Sequence, residues 1–295
     1  MREPRIRRSM LMTPGNRPER LARAAEYPAD AFIFDLEDSV PPGEKARARE
    51  CVARALRDMP RDGRERCVRI NGLDTPHGAD DIAGLPHDLI DSIMVPKVES
   101  ASALLGLERR MDAAEASAHR ERPMEWIVTL ETPRGILDAL AIADASRRTT
   151  ALFFGSGDYT SAVGCAVTDM TQHYPRSVIA AAAAAAGIQA IDAAFFQDVK
   201  NAEATRRDAQ VARELGFAGK VVFHPNQVAV ANEVFSPTRA EIDRARRLVA
   251  AYRDSLAKGH GTSVTEGVFA GVDLVPLAER LLAMAAILAA HEGRA

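Results

Sequence analysis

Short apolar runs alternate with amphipathic segments at a regular beat along the 295 residues. The runs at 32–34, 93–95 and 152–154 are uninterrupted, as strands covered by helices on both faces require. Strands are predicted over 9–13, 31–35, 67–71, 92–96, 126–131, 151–158, 190–196 and 219–224. Helices are predicted over 17–26, 44–57, 79–85, 101–118, 135–145, 175–187, 202–215, 228–235 and 239–258. Eight strands, each followed by helical sequence, point to an α/β fold of the (β/α)8 (TIM) barrel type. A doubly wound open sheet is the competing architecture. Its G-x-G-x-x-G turn is missing, and Gly155-Ser156-Gly157 alone is too short a signal. No solenoid-type period is present. Gly259-His260-Gly261 breaks the helical pattern after Lys258, and 264–290 has an apolar face of its own. The expected division is a catalytic barrel over 1–258 and a C-terminal extension or lid over 259–295.

Composition narrows the functional class. Apolar residues make up 47% and charged residues 27%, with a formal charge of −3. There is no overall basic field to draw nucleic acid. The basic start at 1–8 precedes no apolar signal core, and no 18-residue apolar run predicts a membrane span. Cys51, Cys67 and Cys165 have neither CxxC spacing nor even number, so structural zinc and a disulfide framework are not expected, and the cytoplasm is.

In such a barrel the chemistry sits where the strands end. The groups at these ends are Thr13-Pro14-Gly15, Glu37 with Asp38, Arg69 with Asn71, Lys97 with Glu99, Glu131, Asp158, Asp192, and His224 with Asn226. A parallel β-α-β unit would bring Glu131 and Asp158 side by side. Two hard oxygen ligands there suit Mg²⁺; helix capping or pairing with arginine is the alternative. Asp35 reads as a buried hydrogen-bonding member of the wall. Glu37 and Asp38 would serve the metal's water shell or hold Lys45, Arg47 or Arg49. Lys97 offers either a Schiff-base amine or an ion pair with Glu99 or Glu131. His224 is a general base or a loop anchor. Pro14-Gly15-Asn16 is an anion-binding helix start or an ordinary turn.

Taken together and in order, seven segments carry a resemblance: 8–15, Phe34-Asp-Leu-Glu-Asp-Ser-Val40, Val68-Arg-Ile-Asn71, Pro96-Lys-Val-Glu99, Leu130-Glu-Thr132, Phe154-Gly-Ser-Gly-Asp158 and 216–227. The chain resembles the citrate lyase β-subunit-like (CitE-like) proteins of the HpcH/HpaI aldolase and malyl-CoA lyase superfamily. The resemblance implies a TIM barrel that binds Mg²⁺ and breaks or forms a C–C bond beside a CoA thioester. It implies Glu131 and Asp158 as metal ligands and Arg69 on the substrate carboxylate. Glu131 is also expected to face substrate, and Pro14 and Gly15, from the helix start, to face the cofactor. It further implies a homo-oligomer, trimer or hexamer, in which one subunit's C-terminal segment covers its neighbour's site and carries a catalytic aspartate. Asp273, in Gly271-Val-Asp-Leu-Val-Pro276, matches that aspartate, although the following proline comes one position late; His224 is the reserve acid–base group. The expected activity is lysis of malyl-CoA, citramalyl-CoA or citryl-CoA, with a small keto acid as the other partner. Thioester hydrolysis on the same substrates, or a citrate lyase β subunit dependent on an acyl-carrier partner, are the alternatives. A Lys97 or Lys220 Schiff base would predict borohydride trapping, which is not expected. The segment 160–174 is expected as a loop lining the substrate pocket.

Overall fold

A computed structural model describes residues 5–120, 122–265 and 268–292. Eight parallel strands close into a barrel in sequence order. They are β1 (Ser9–Pro14), β2 (Ala31–Asp35), β3 (Glu65–Arg69), β4 (Ser92–Val95), β5 (Glu125–Leu130), β6 (Thr149–Phe154), β7 (Gln189–Ala193) and β8 (Gly219–Val222). Helical segments separate each strand from the next, because parallel neighbours can be joined only by long crossovers. β8 returns to β1, with Met10 opposite Val221.

Alternation along the strands divides the apolar residues between two cores. Met10, Met12, Ile33, Cys67, Met94 and Ile127 fill the barrel interior with Phe153, Ile191 and Val221. Their neighbours Leu11, Phe32, Phe34, Val68 and Ile93 point outward and pack under the helices. The same parity sends Asp35, Arg69 and Glu131 inward at the C-terminal ends of β2, β3 and β5. At the opposite end the first residues of β3, β5 and β7 (Glu65, Glu125 and Gln189) gather around Arg7. Arg7 Nε donates to Glu65 Oε2 at 2.6 Å and Nη2 to Glu65 Oε1 at 2.9 Å. Nη1 donates to Gln189 Oε1 at 3.1 Å, Nη2 to Glu125 Oε2 at 3.3 Å, and Ser92 Oγ to Glu65 Oε1 at 2.6 Å. Arg5 Nε donates to Glu125 Oε2 at 2.8 Å, so two arginines meet two carboxylates in a polar plug at this end.

Three local departures from the predicted elements matter for the site. β6 stops at Phe154, and 156–163, predicted as strand and loop, is the helix Ser156–Val163. The helix predicted from Pro175 begins at Asp169, because Thr168 and Thr171 form a reciprocal capping box that starts it earlier. The segment 160–174 is therefore two helix ends around a short connection. β3 begins and ends two residues early, so Asn71 lies beyond the strand, where its Nδ2 donates to Leu36 O at 2.9 Å and Asp81 Oδ2 at 2.6 Å.

The chain forms two compact units, Met1–Phe235 and Ser236–Ala295. In the second, helix Arg239–Ala257 starts at a Thr238–Glu241 capping box and packs on helix Val275–Glu292 through Ala245, Val249, Val275 and Ala278. An antiparallel hairpin of β9 (Ser263–Thr265) and β10 (Val268–Ala270) joins them, where only an apolar helical face is predicted. The 239–257 helix thus groups with the C-terminal segment, and the division precedes it. Among the described residues no helix is long and apolar enough to cross a membrane.

Candidate active site

The register of β2 against β3 places Asp35 opposite Arg69 at the C-terminal rim. Arg69 Nε donates to Asp35 Oδ1 at 2.6 Å and Nη2 to Asp35 Oδ2 at 2.7 Å, a two-pronged pair with both residues buried. Asp35 also accepts from the backbone N–H of Glu37 at 2.9 Å and from Ser39. Burial opposes its charge, but Arg69 outweighs burial and holds the carboxyl below its ordinary range. Asp35 is the wall member expected of it. Arg69 Nη1 reaches Glu37 Oε2 at 3.1 Å, and Lys97 Nζ sits 2.9 Å from Glu37 Oε1 and 3.3 Å from Asp38 Oδ1. Lys97 therefore pairs with Glu37 and Asp38, not with Glu99 or Glu131. Burial works against its ammonium, yet Glu37 and Asp38 hold it protonated above the usual lysine range. A Schiff-base lysine needs a neutral amine, and Lys97 is the opposite case.

Glu131 follows β5 directly and is 2% exposed. Lys97 adopts a left-handed φ of 52°, which turns its backbone N–H onto Glu131 Oε1 at 2.8 Å. Gly155 makes room on the other side: a Cβ there would lie 2.5 Å from Glu131 Cβ and 2.6 Å from Oε2. Asp158 does not end a strand. It lies in the first turn of helix Ser156–Val163 and lines the same cavity as Glu131. Neither carboxylate is a helix cap, since Thr132 accepts from Gly135 N at the helix after β5 and the helix after β6 has no side-chain cap. Burial, then the charges of Glu37 and Asp158, push the Glu131 carboxyl up to about 8. Glu37 is raised as well, first by burial, and its buried Oε2 has no partner beyond the ion pair with Arg69 Nη1.

This excess of uncompensated negative charge is what a divalent cation relieves. No group of three or more His, Cys, Asp or Glu is gathered as a metal cage among the described residues. A two-carboxylate centre is nevertheless the arrangement Mg²⁺ uses when water and substrate complete its shell. The pair fits the ion. Glu131, Asp158, Arg69 and Ser156 line one side of a cavity of ≈ 270 Å³. Met12, Phe153, Ala193, Phe196 and Phe223 form the other. Phe196 and Phe223 meet edge to face, their centroids 6.5 Å apart.

Other predicted positions sit elsewhere. The Gly15 N–H donates to Asp35 O at 2.7 Å, and a Cβ on Gly15 would lie 2.6 Å from that oxygen. Pro14, which has no N–H, closes β1, so the turn is a close backbone approach and these two residues present no anion-binding amide. Asp192 and Lys220 are not rim groups: their parity is outward. Lys220 Nζ contacts Asp192 Oδ2 and Asp208 Oδ2, each at 2.5 Å, and Arg176 Nη2 reaches Asp192 at 2.8 Å. This buried clasp ties β7 and β8 to two helices and leaves Lys220 without access to substrate. His224 is a loop anchor whose Nδ1 accepts from Asn226 N at 3.2 Å. Glu99 is exposed. Asp273 lies in the second unit, exposed, on the turn before helix Val275–Glu292. The sequence reading missed the Glu37–Lys97 pair and the aromatic wall. Phe196 was visible only as a strand residue, because β7 was drawn three residues too long.

Comparison with known proteins follows the same lines. A sequence profile described as HpcH/HpaI aldolase/citrate lyase matches residues 8–225. The citrate lyase subunit beta of Leuconostoc mesenteroides is 36% identical over 97% of this chain and 95% of its own length. The L-malyl-CoA/beta-methylmalyl-CoA lyase of Cereibacter sphaeroides is 32% identical over 97% and 96%. The crystal structure of CitE from Mycobacterium tuberculosis with magnesium, acetoacetate and coenzyme A superposes with a TM-score of 0.75 at 32% identity, covering 94% of this chain and 97% of that one.

Proposed function

The chain belongs to the HpcH/HpaI aldolase/citrate lyase family, and on that premise we propose the roles of its rim residues. The protein is a magnesium-dependent carbon–carbon lyase acting on a CoA thioester of a 2-hydroxy acid, with the hydroxyl β to the thioester, of the malyl-, citramalyl- or citryl-CoA kind. The observation that supports the assignment is one cavity holding Glu131, raised by burial and by neighbouring carboxylates, with Asp158 and the guanidinium of Arg69.

Glu131 and Asp158 hold the Mg²⁺. When bound, the ion stabilises negative charge on the 2-oxygen of the substrate. Arg69 has N–H groups beyond those given to Asp35 and Glu37, and these grip the substrate carboxylate and fix its orientation. Asp35 keeps the guanidinium in plane for that task. In the cleavage direction the hydroxyl proton passes to solvent and the bond to the thioester α-carbon breaks. Its electron pair moves onto that carbon as an enolate, which takes a proton from an acid and becomes the acyl-CoA methyl. Asp273 is that acid, carried on the C-terminal segment of a neighbouring copy in a cytoplasmic homotrimer.

The test is a panel of malyl-, citramalyl- and citryl-CoA with Mg²⁺, assaying free CoA, acetyl-CoA and keto acid separately. Equal release of acetyl-CoA and keto acid supports lysis; free CoA with no keto acid means hydrolysis. Turnover without carrier protein separates the enzyme from an obligate complex subunit. Mixing inactive Asp273→Ala and Arg69→Ala proteins should restore part of the activity if Asp273 serves a neighbour. No recovery in mixed trimers would place Asp273 outside that role.

A further inference from the structure

The cavity is polar on one side only, and that asymmetry bears on the substrate. Arg69 is the single cation among its described lining residues. Of the five N–H donors of a guanidinium, three are directed at Asp35 and Glu37. The remainder suffices for one carboxylate. The facing side is Met12, Phe153 and Ala193, which continue the barrel interior, with the half-buried Phe196 and the more exposed Phe223 above them.

Such a thioester has four groups on its hydroxyl carbon, which lies β to the thioester. The oxygen and the carboxylate belong with Glu131, Asp158 and Arg69, and the thioester arm leads out to solvent. The fourth group meets the apolar wall. We infer that this wall selects thioesters whose fourth group is hydrogen or methyl and rejects those bearing a second carboxylate. The keto acid released is thus a monocarboxylate of the glyoxylate or pyruvate kind. A carboxymethyl group would set an anion against three phenylalanines and a methionine, whose side chains carry no donor to pair it. Sites without a partner for a buried polar group discriminate by large factors, whereas one methyl more or less changes rates by about ten- to two-hundredfold.

This inference rests on the lyase reading, and the experiment separates the two. With Mg²⁺, kcat/KM is measured for the hydrogen, methyl and carboxymethyl thioesters by the keto acid each releases. The methyl substrate should exceed the carboxymethyl one by about a hundredfold. A ratio of tenfold or more supports the inference, and any smaller ratio overturns it while leaving the lyase reading intact. Phe196→Arg, at the half-buried edge of the wall, should close the gap by tenfold or more, with circular dichroism confirming the fold. A folded variant with an unchanged ratio would remove Phe196 from the selection. If no thioester is cleaved, the lyase reading fails, and calorimetric titration with Mg²⁺ still decides on the wall. Pyruvate binding at least tenfold more tightly than fresh oxaloacetate supports it; any smaller preference overturns it.

Discussion

The two ends of the barrel use the same parts to opposite purpose. At the N-terminal end Arg7 grips Glu65 through two N–H groups, and Glu125, Gln189 and Ser92 take up what remains. At the C-terminal end Arg69 grips Asp35 in the same way. There, however, three further carboxylates crowd in, Glu131 is pushed up to about 8, and one oxygen of Glu37 has only its ion pair with Arg69. One arginine finishes a set of partners; the other leaves a deficit. A buried charge network that is complete rigidifies, and one that is short of positive charge is ready for a ligand. The deficit, not the mere presence of charge, marks the functional end.

Four changes would break or sharpen that contrast. Arg7→Met takes from the buried Glu65 its two-pronged partner, leaving only the cation of Arg5 at 4.0 Å, and should cost about 3–5 kcal/mol of stability in a denaturant titration. The folded fraction should keep its turnover. Full stability would show that the plug is not structural. Glu131→Gln at the other end should lower kcat by about a thousandfold and weaken Mg²⁺ binding. Its midpoint of unfolding should hold or rise, because a buried carboxyl whose ionisation the site disfavours is gone. Wild-type rates in this variant and in Asp158→Ala would end the metal assignment. Gly155→Ala drives a methyl into Glu131, and overpacking of this kind costs about 1–3 kcal/mol. Activity should fall further than stability accounts for, since the carboxylate itself is displaced; an unaffected rate would mean the cradle is not needed.

The smallest effect is in the pH dependence of the metal-free protein, and the two ends should have opposite signs. Glu131 keeps its proton in the folded state up to about 8, while in the unfolded chain it loses it near the ordinary 4.5. The native state binds more protons across that window, so this end loses stability as pH rises from about 4.5 to about 8. Glu65 is the reverse. Burial raises it, but Arg7 outweighs burial and holds it below 4.5, so its contribution is present above that value and lost as pH falls. Glu131→Gln should flatten the first slope and leave the second. Saturating Mg²⁺ should also abolish the first, releasing a proton as it binds. A first slope that survives in Glu131→Gln would assign it to another group.

How much of this was legible follows the physics of each signal. β2 was readable to the residue, because a buried five-residue apolar run ending in Asp35 has no other reading. β6 was drawn too long because Gly155-Ser156-Gly157 brings neither a capping side chain nor an apolar period to announce a helix. Asp158 still reached the site, since one helical turn returns it toward β5. Asp192 and Lys220 were misplaced for a different reason. In strands apolar on both faces, sequence cannot say which parity points inward; only the closed barrel does. The Arg69–Asp35 pair depends on cross-strand register, and the aromatic wall on residues from three separate segments. Neither is local enough to read along a chain.

The left-handed backbone at Lys97 has a last consequence, for what substitution can alter. The bond that orients Glu131 comes from a main-chain amide, so of all exchanges at this position only proline deletes it outright. What position 97 must preserve is a conformation. A saturation library there should retain glycine and asparagine, which adopt positive φ readily, ahead of valine or isoleucine, which do not. Charge at this position would then drift among descendants of the sequence, while the tolerance for that backbone shape would not.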